Sequence, residues 1–326
     1  MGADIREFGI TAAGQRVEAV HLSAGEMRVV VLTRGAVLQD LRLAGLDRSL
    51  TLGSDRLADY EGALRYHGAL VGPVANRING GVAPIAGSLY RFETNEAGRH
   101  MLHSGSSGTH CQVWDILAAD SASVTLGIDL ADGEGGFPGN RHVEVRFDAL
   151  APASLRMTIT ATTDAPTLMN FANHSYWNLD GTPNWEGHSL RIAAEHFLPV
   201  TGELIPTGQI TPVEGTGYDL RTDSMIAIGH PPLDTNFCLS DARMPLRDVL
   251  WLRGKTGVTM TLATTEPGLQ VYDGRVALRS GRNHYEGLAI EPQFWPDAPN
   301  HPGFPPIELK PGQGWRQETV WKFTRG

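Results

Sequence analysis

Cysteine is scarce: Cys111 and Cys238 stand far apart in a chain of 326 residues. A secreted fold stapled by disulfides normally carries more, so both are expected to be free thiols in a reducing compartment. Positive charge is also in deficit. Lys and Arg number 27 against 36 Asp and Glu, a formal charge of −9. Nucleic acid and anionic membrane surfaces both need a basic face, and neither is expected as a partner. No apolar run approaches the ~20 residues of a membrane span. The opening stretch MGADIREFGITAAGQRVEA has no apolar segment of signal-peptide type. Arg6 stands where a myristoylation site wants Ser or Thr. A cytoplasmic protein is the expectation.

Several signatures of chemistry are missing too. The twelve histidines include no HExxH, and there is no CxxC. His100 and His103 lie three apart, but nothing near them in sequence supplies a third ligand, so no metal site is expected. Neither the GxxxxGK[ST] phosphate loop nor a GxGxxG between strand and helix occurs. GSSG at 105–108 lacks the GxSxG spacing of a serine hydrolase and reads as a turn.

Alternation with period two is what the chain does have. MRVVVLTRGAVLQDLRL (27–43), ASVTLGIDL (122–130), RHVEVRFDAL (141–150), SLRMTITATT (154–163) and GVTMTLATT (257–265) all read as strands. Breakers such as ADGEGGFPGN, TTDAPT and TEPG separate them, and 38 Gly and 20 Pro give enough punctuation for many short strands. Helical signals are few. SDRLADYEGALRYHGAL (54–70) is expected to hold one or two short helices, with Ser54 as N-cap. The fold class is therefore all-β, a large antiparallel β-sandwich or barrel. With no linker and no repeat, one domain over 1–326 is the simpler reading; the alternative is a second domain divided near the middle. The long loops hold most of the His, Trp and Asn, and such loops on a β scaffold are where sites are built.

With metal, nucleotide and nucleophile signatures absent, acid–base chemistry remains. LAIEPQFWPDAPNHPGFPP (288–306) places Glu291 at an apolar strand end beside Pro292, Phe294 and Trp295. A carboxyl withdrawn from water has its pKa raised toward the range of a general base. His174, in FANHSYWNLD, titrates near neutrality and can donate a proton. The aromatics near both suggest a sugar, whose C–H face packs on rings while its hydroxyls need polar side chains. Asn76 and Arg77 in VANRING, His103 in LHSG, Asp234 in LDTNF and Gln270 in TEPGLQVYDG supply these.

Taken in order, VANRI, LHSG, DGEGGFPGN, NHSYWNL, LDTNF, TEPGLQ and EPQFWPDAPNHPGFP resemble the motifs of the aldose 1-epimerase family, the galactose mutarotases. The match runs over about residues 72–312; NHSYWNL and PDAPNHPGFP are its most specific parts. The resemblance implies a galactose mutarotase-like β-sandwich with an open sugar cleft. It implies interconversion of the α and β anomers of a free aldose with no cofactor, by a monomer or weak homodimer. His174 matches the family's acid and Glu291 its base. Asn76, Arg77, His103, Asp234 and Gln270 match the positions that hold sugar hydroxyls. On this reading Glu291 takes the C1 hydroxyl proton, His174 protonates the ring oxygen, and the C1–O5 bond opens. The aldehyde turns and the ring recloses on its other face. Arg77 and His103 are placed to stabilise charge near the ring oxygen.

Three departures stand out: Ser104 where the family has Gly, Trp177 where it has Phe, and Pro292 where it has Thr. They are expected to touch sugar preference more than the reaction. Trp177, Phe294 and Trp295 read individually as core. Asp297, Asn300 and His301 read as loop-shaping. A non-catalytic sugar-binding protein on the same scaffold is the competing function, since fold does not fix function. Galactose, glucose and pentoses differ by single groups that the motifs do not distinguish.

Overall fold

The computed structural model describes residues 2–326. Three sheets carry the fold, and their ladders are antiparallel throughout. The first has four strands in chain order, Asp4–Ile10, Arg16–Ala24, Met27–Leu32 and Val37–Leu43. The second has nine, and its middle is Arg141–Leu150, Ser154–Thr163, Trp315–Arg325 and Val258–Thr264. The third has six, in the order Tyr176–Trp177, Leu288–Gln293, Gly268–Tyr272, Asp234–Cys238, His196–Phe197 and Thr211–Pro212.

The expected β-sandwich is therefore present, and alternation explains it. Val143, Val145 and Phe147 of one strand and Leu155, Met157 and Ile159 of the next point inward, with polar residues between them facing out. One apolar cluster takes residues from all three sheets, from Val20 to Phe323. The run 27–43 is two strands, broken at residues 33–36, where Gly35 and Ala36 take positive φ. The segment 54–70 yields less helix than its pattern promised. Only Leu57–Tyr60 is helical, its N-cap is Arg56, and no side chain caps it. Ser54 lies further back, where its hydroxyl accepts from the Arg56 N–H and donates to Asp59. Among the described residues no helix is long and apolar enough to cross a membrane.

Candidate active site

The third sheet is buried on both faces, and its alternation sorts the side chains. Leu288 and Ile290, like Leu269 and Val271, enter the core cluster. Glu291 and Gln270 lie on the opposite face. Register pairs Gln270 with Glu291 and Asn236 with Gln270, so the three side chains form a row across adjacent strands. Asp234 stands one step along this face, and its Oδ1 accepts from the Gln270 amide at 2.6 Å.

His174 reaches the same place from the flank of that sheet. It sits between the short strands Ala172–Asn173 and Tyr176–Trp177. Its N–H donates to the Ala69 carbonyl at 2.9 Å, and its carbonyl accepts from Gly68 at 3.0 Å. Asn173 and Ser175, on either side, bond to Gly68 and to each other. The imidazole is thus delivered by a fixed backbone. Its Nε2 lies 3.6 Å from Glu291 Oε1, with the two residues 5% and 2% exposed. The His174 ring stacks on Tyr66 and stands edge-on to His103, with centroids 5.8 and 5.3 Å away.

The remaining wall is the paired strands Arg77–Ile78 and Met101–Leu102. Asn76 adopts a left-handed φ of 61°, tolerated best by Asn among side-chain-bearing residues, and its Oδ1 accepts from the Arg77 N–H. Its own N–H donates to His103 Nδ1 at 3.1 Å. That bond places the His103 proton on Nε2. Arg77 is held bidentately by Glu96 at 2.7 and 2.6 Å. Asp297 fixes the same loop from below. Its N–H donates to the Arg77 carbonyl, and its carboxylate accepts from the Asn79 N–H and the Asn300 amide. The Pro-rich PDAPNHPGFPP segment therefore shapes a loop, as its composition suggested.

All seven sequence-predicted residues, Asn76, Arg77, His103, His174, Asp234, Gln270 and Glu291, line one cavity of about 550 Å³. Tyr66, Tyr176, Tyr272, Arg275 and Leu204 line it too and were not singled out from sequence. Tyr176 lay inside NHSYWNL, where its neighbour drew attention instead. Tyr66 lay in a stretch read as helix, and Leu204 carried no signal. Phe294 and Trp295, next to Glu291 in sequence, belong to a separate apolar cluster and do not line the cavity. Trp177 is fully buried against Trp321 and Phe323 in the core.

Burial dominates the electrostatics. It pushes the Glu291 carboxyl well above its usual range, helped by the charge of Asp234 and opposed by Arg77. Burial lowers His174 to about 4, against a weaker pull from its own carbonyl. Burial also raises Asp234, with Arg77 and the Gln270 bond opposing. Burial thus favours the neutral form of each partner over a charged pair.

His103, His174 and Glu291 offer one ligand-type atom each within 4.8 Å of one another. The donor chemistry does not suit a cation. His103 Nδ1 is occupied by the Asn76 N–H and its Nε2 carries the proton, so neither nitrogen presents a free lone pair. His100 points elsewhere: its Nδ1 accepts from Gly80, and its Nε2 lies 3.0 Å from Glu203.

Residues 18–322 match the family model for aldose 1-epimerase. The chain belongs to the aldose 1-epimerase family. It is 34% identical to the galactose mutarotase of Bos taurus, with 94% of each chain covered. It is 29% identical to the aldose 1-epimerase of Escherichia coli K12, over 94% of this chain and 95% of that one. Among solved structures, an aldose epimerase homologue from C. elegans superposes with a TM-score of 0.88 at 28% identity, covering 94% of this chain and 98% of its own. For a family member, the LHSG loop is the instructive departure. Ser104 takes a φ of 63°, where Gly is the easy residue. Its hydroxyl accepts from the Val74 N–H at 2.9 Å and donates to the Val74 carbonyl at 3.1 Å. Two buried hydrogen bonds offset the backbone strain.

Proposed function

We propose that the chain is an aldose 1-epimerase that interconverts the α and β anomers of a free aldose, with Glu291 as general base and His174 as general acid. The observation that carries this reading is the 3.6 Å approach of His174 Nε2 to Glu291 Oε1, two residues that line the cavity. A sugar bound there presents its C1 hydroxyl to the carboxylate and its ring oxygen to the imidazolium. Glu291 takes the hydroxyl proton as His174 donates one to O5. The C1–O5 bond breaks, and the open-chain aldehyde forms. Rotation about C1–C2 and the reverse proton transfers close the ring on the other face. No electron or group is transferred, so the chemistry calls for no cofactor.

Burial gives this step a direction. Ring opening starts from a charged pair, carboxylate and imidazolium, and ends with a neutral one. A dry site disfavours charge, so it favours the pair that accompanies the open-chain sugar. Arg77 and the hydroxyls of the bound sugar keep the charged pair within reach. His103 Nε2–H, Asn76, Gln270 and Asp234 hold the remaining hydroxyls, and Arg77 faces charge developing at the ring oxygen. We read the setting as cytoplasmic, a view supported by the two free cysteines.

Polarimetry tests the proposal. Freshly dissolved α-D-glucose, α-D-galactose and D-xylose are followed with wild type, His174→Ala and Glu291→Ala. Accelerated decay to the equilibrium rotation, lost in both variants, is expected. Sugar binding without acceleration would replace the enzyme by a binding protein.

A further inference from the structure

The face that carries Glu291 also carries two amides that bond to nothing. Register places Asn236 opposite Gln270 on one side of Glu291 and Gln293 two residues further along the base's own strand. Asn236 is 2% exposed and Gln293 is fully buried. Both side-chain atoms of each lack a hydrogen-bond partner, as do Glu291 Oε2 and Gln270 Oε1. Buried polar groups are normally satisfied by protein or by ordered water. Six such atoms lie on one face of one sheet.

A glycine lies beside them. Gly268 lies between Cys238 and Gln293 in register. A Cβ there would stand 2.8 Å from Asn236 Oδ1 and 2.9 Å from Trp295 Cδ1. The missing side chain leaves a slot into which the Asn236 amide leans. Gly268 belongs to TEPGLQ, a motif of which only Gln270 has so far found a role. Its backbone has no positive φ, so space rather than conformation requires glycine here.

Glu291 Oε1 lies 3.6 Å from His174 Nε2, and Oε2 has no protein partner. On the same face Gln270 already donates to Asp234. Asn236 Nδ2 and Gln293 Nε2 are the donors there with no other partner. Asn236 is two strands away, roughly 10 Å, so its donor reaches Oε2 only through an intermediary.

We propose that Asn236 and Gln293 are positioning residues for the base, holding the Glu291 Oε2 atom through bound water on this face of the sheet. They do not touch the sugar. They hold the carboxylate form of Glu291 in place and make it easier to reach in a site whose burial opposes it. This inference rests on Glu291 being the base.

The test replaces each amide with an apolar side chain of similar size, Asn236→Leu and Gln293→Leu, with Asn236→Ser as a variant that leaves room for water. The readout is the pH profile of kcat alongside KM. Losing carboxylate-stabilising donors raises the ionisation of Glu291. Each Leu variant is therefore expected to move the alkaline limb up by about one pH unit and lower kcat at pH 7 by about tenfold, with KM within about twofold. Asn236→Ser is expected to recover most of kcat and the wild-type limb. If Asn236→Leu does not fold, Gln293→Leu and Asn236→Ser carry the same test. Profiles that superimpose on wild type, or a raised KM with unchanged kcat, would overturn the inference. Glu291→Gln is run beside them: if it stays active the base assignment itself fails, whereas if it is inactive and the amide profiles are unchanged only the water-held link fails.

Discussion

His174 Nε2 and Glu291 Oε1 stand 3.6 Å apart, and both residues are almost wholly buried. In water the imidazole would hold a proton more tightly than the carboxyl. Here burial reverses the order, lowering His174 to about 4 and raising Glu291 well above its usual range. Activity needs one proton on the pair. It is lost in acid when His174 takes a second proton, near pH 4, and in alkali when Glu291 gives up its own. A broad bell in kcat is expected, its acid limb near pH 4 and its alkaline limb well above the ordinary carboxylate range. An acid limb near pH 6.5 in stopped-flow polarimetry would show that His174 is not desolvated in this way.

The Ser104–Val74 bonds predict an order of stabilities. Ser104→Ala keeps the strained φ and leaves buried Val74 groups unpaired, a loss of about 2 kcal/mol. Ser104→Gly loses the same bonds but relieves the strain, so about 1 kcal/mol is expected. Urea unfolding measures both. Equal losses, or a stable Ser104→Ala, would remove the hydroxyl from the account.

Reading the chain by alternation works where strands are long and one-sided. Arg141–Leu150 and Ser154–Thr163 fall where the pattern puts them. Trp315–Arg325, at the heart of the nine-stranded sheet, was missed because Gln317 and Thr319 occupy inward positions and interrupt its apolar series. Two-residue strands such as Ala172–Asn173 leave no periodic trace. In the segment 54–70 tertiary contacts outweighed helix propensity after a single turn. The site was legible because its seven residues sit in six short motifs, Asn76 and Arg77 sharing VANRING. Tyr66 and Leu204 were not, since only the folded loops bring them to the cavity.

Arg77 uses Nε and Nη2, one edge of its fork, on Glu96 while lining the cavity. Lysine cannot reproduce that geometry. Arg77→Lys is expected to lower kcat/KM on the order of a hundredfold, because lysine keeps the charge but not the paired donors that Glu96 holds in place. Steady-state kinetics across pH decides it; a value within about threefold of wild type would mean that any positive charge suffices.

Buried histidines predict the response to acid. Burial holds His67 and His110 to about 3, His174 to about 4 and His103 well below its normal value. The unfolded chain binds their protons first, so each contributes stability above pH 6.5 that is lost as pH falls, at up to about 1.4 kcal/mol per pH unit. Glu266 and Glu291 have raised values and act with the opposite sign. Their stabilising effect is full below about pH 4.5 and is lost as pH rises through their folded values. The melting temperature is therefore expected to fall gently from pH 6.5 to about 4.5 and steeply below. A flat curve to pH 3.5 in scanning calorimetry would contradict the burial of these imidazoles.

The most direct measurement is the rate of anomer exchange by NMR for wild type, Glu291→Gln and His174→Gln. Glutamine keeps the size of the glutamate side chain and cannot take the proton. Each variant is expected to lose about 10³-fold in kcat, the scale of one positioned acid or base, with KM within a few-fold of wild type. Exchange within tenfold of wild type in either variant would contradict the assignment of base and acid.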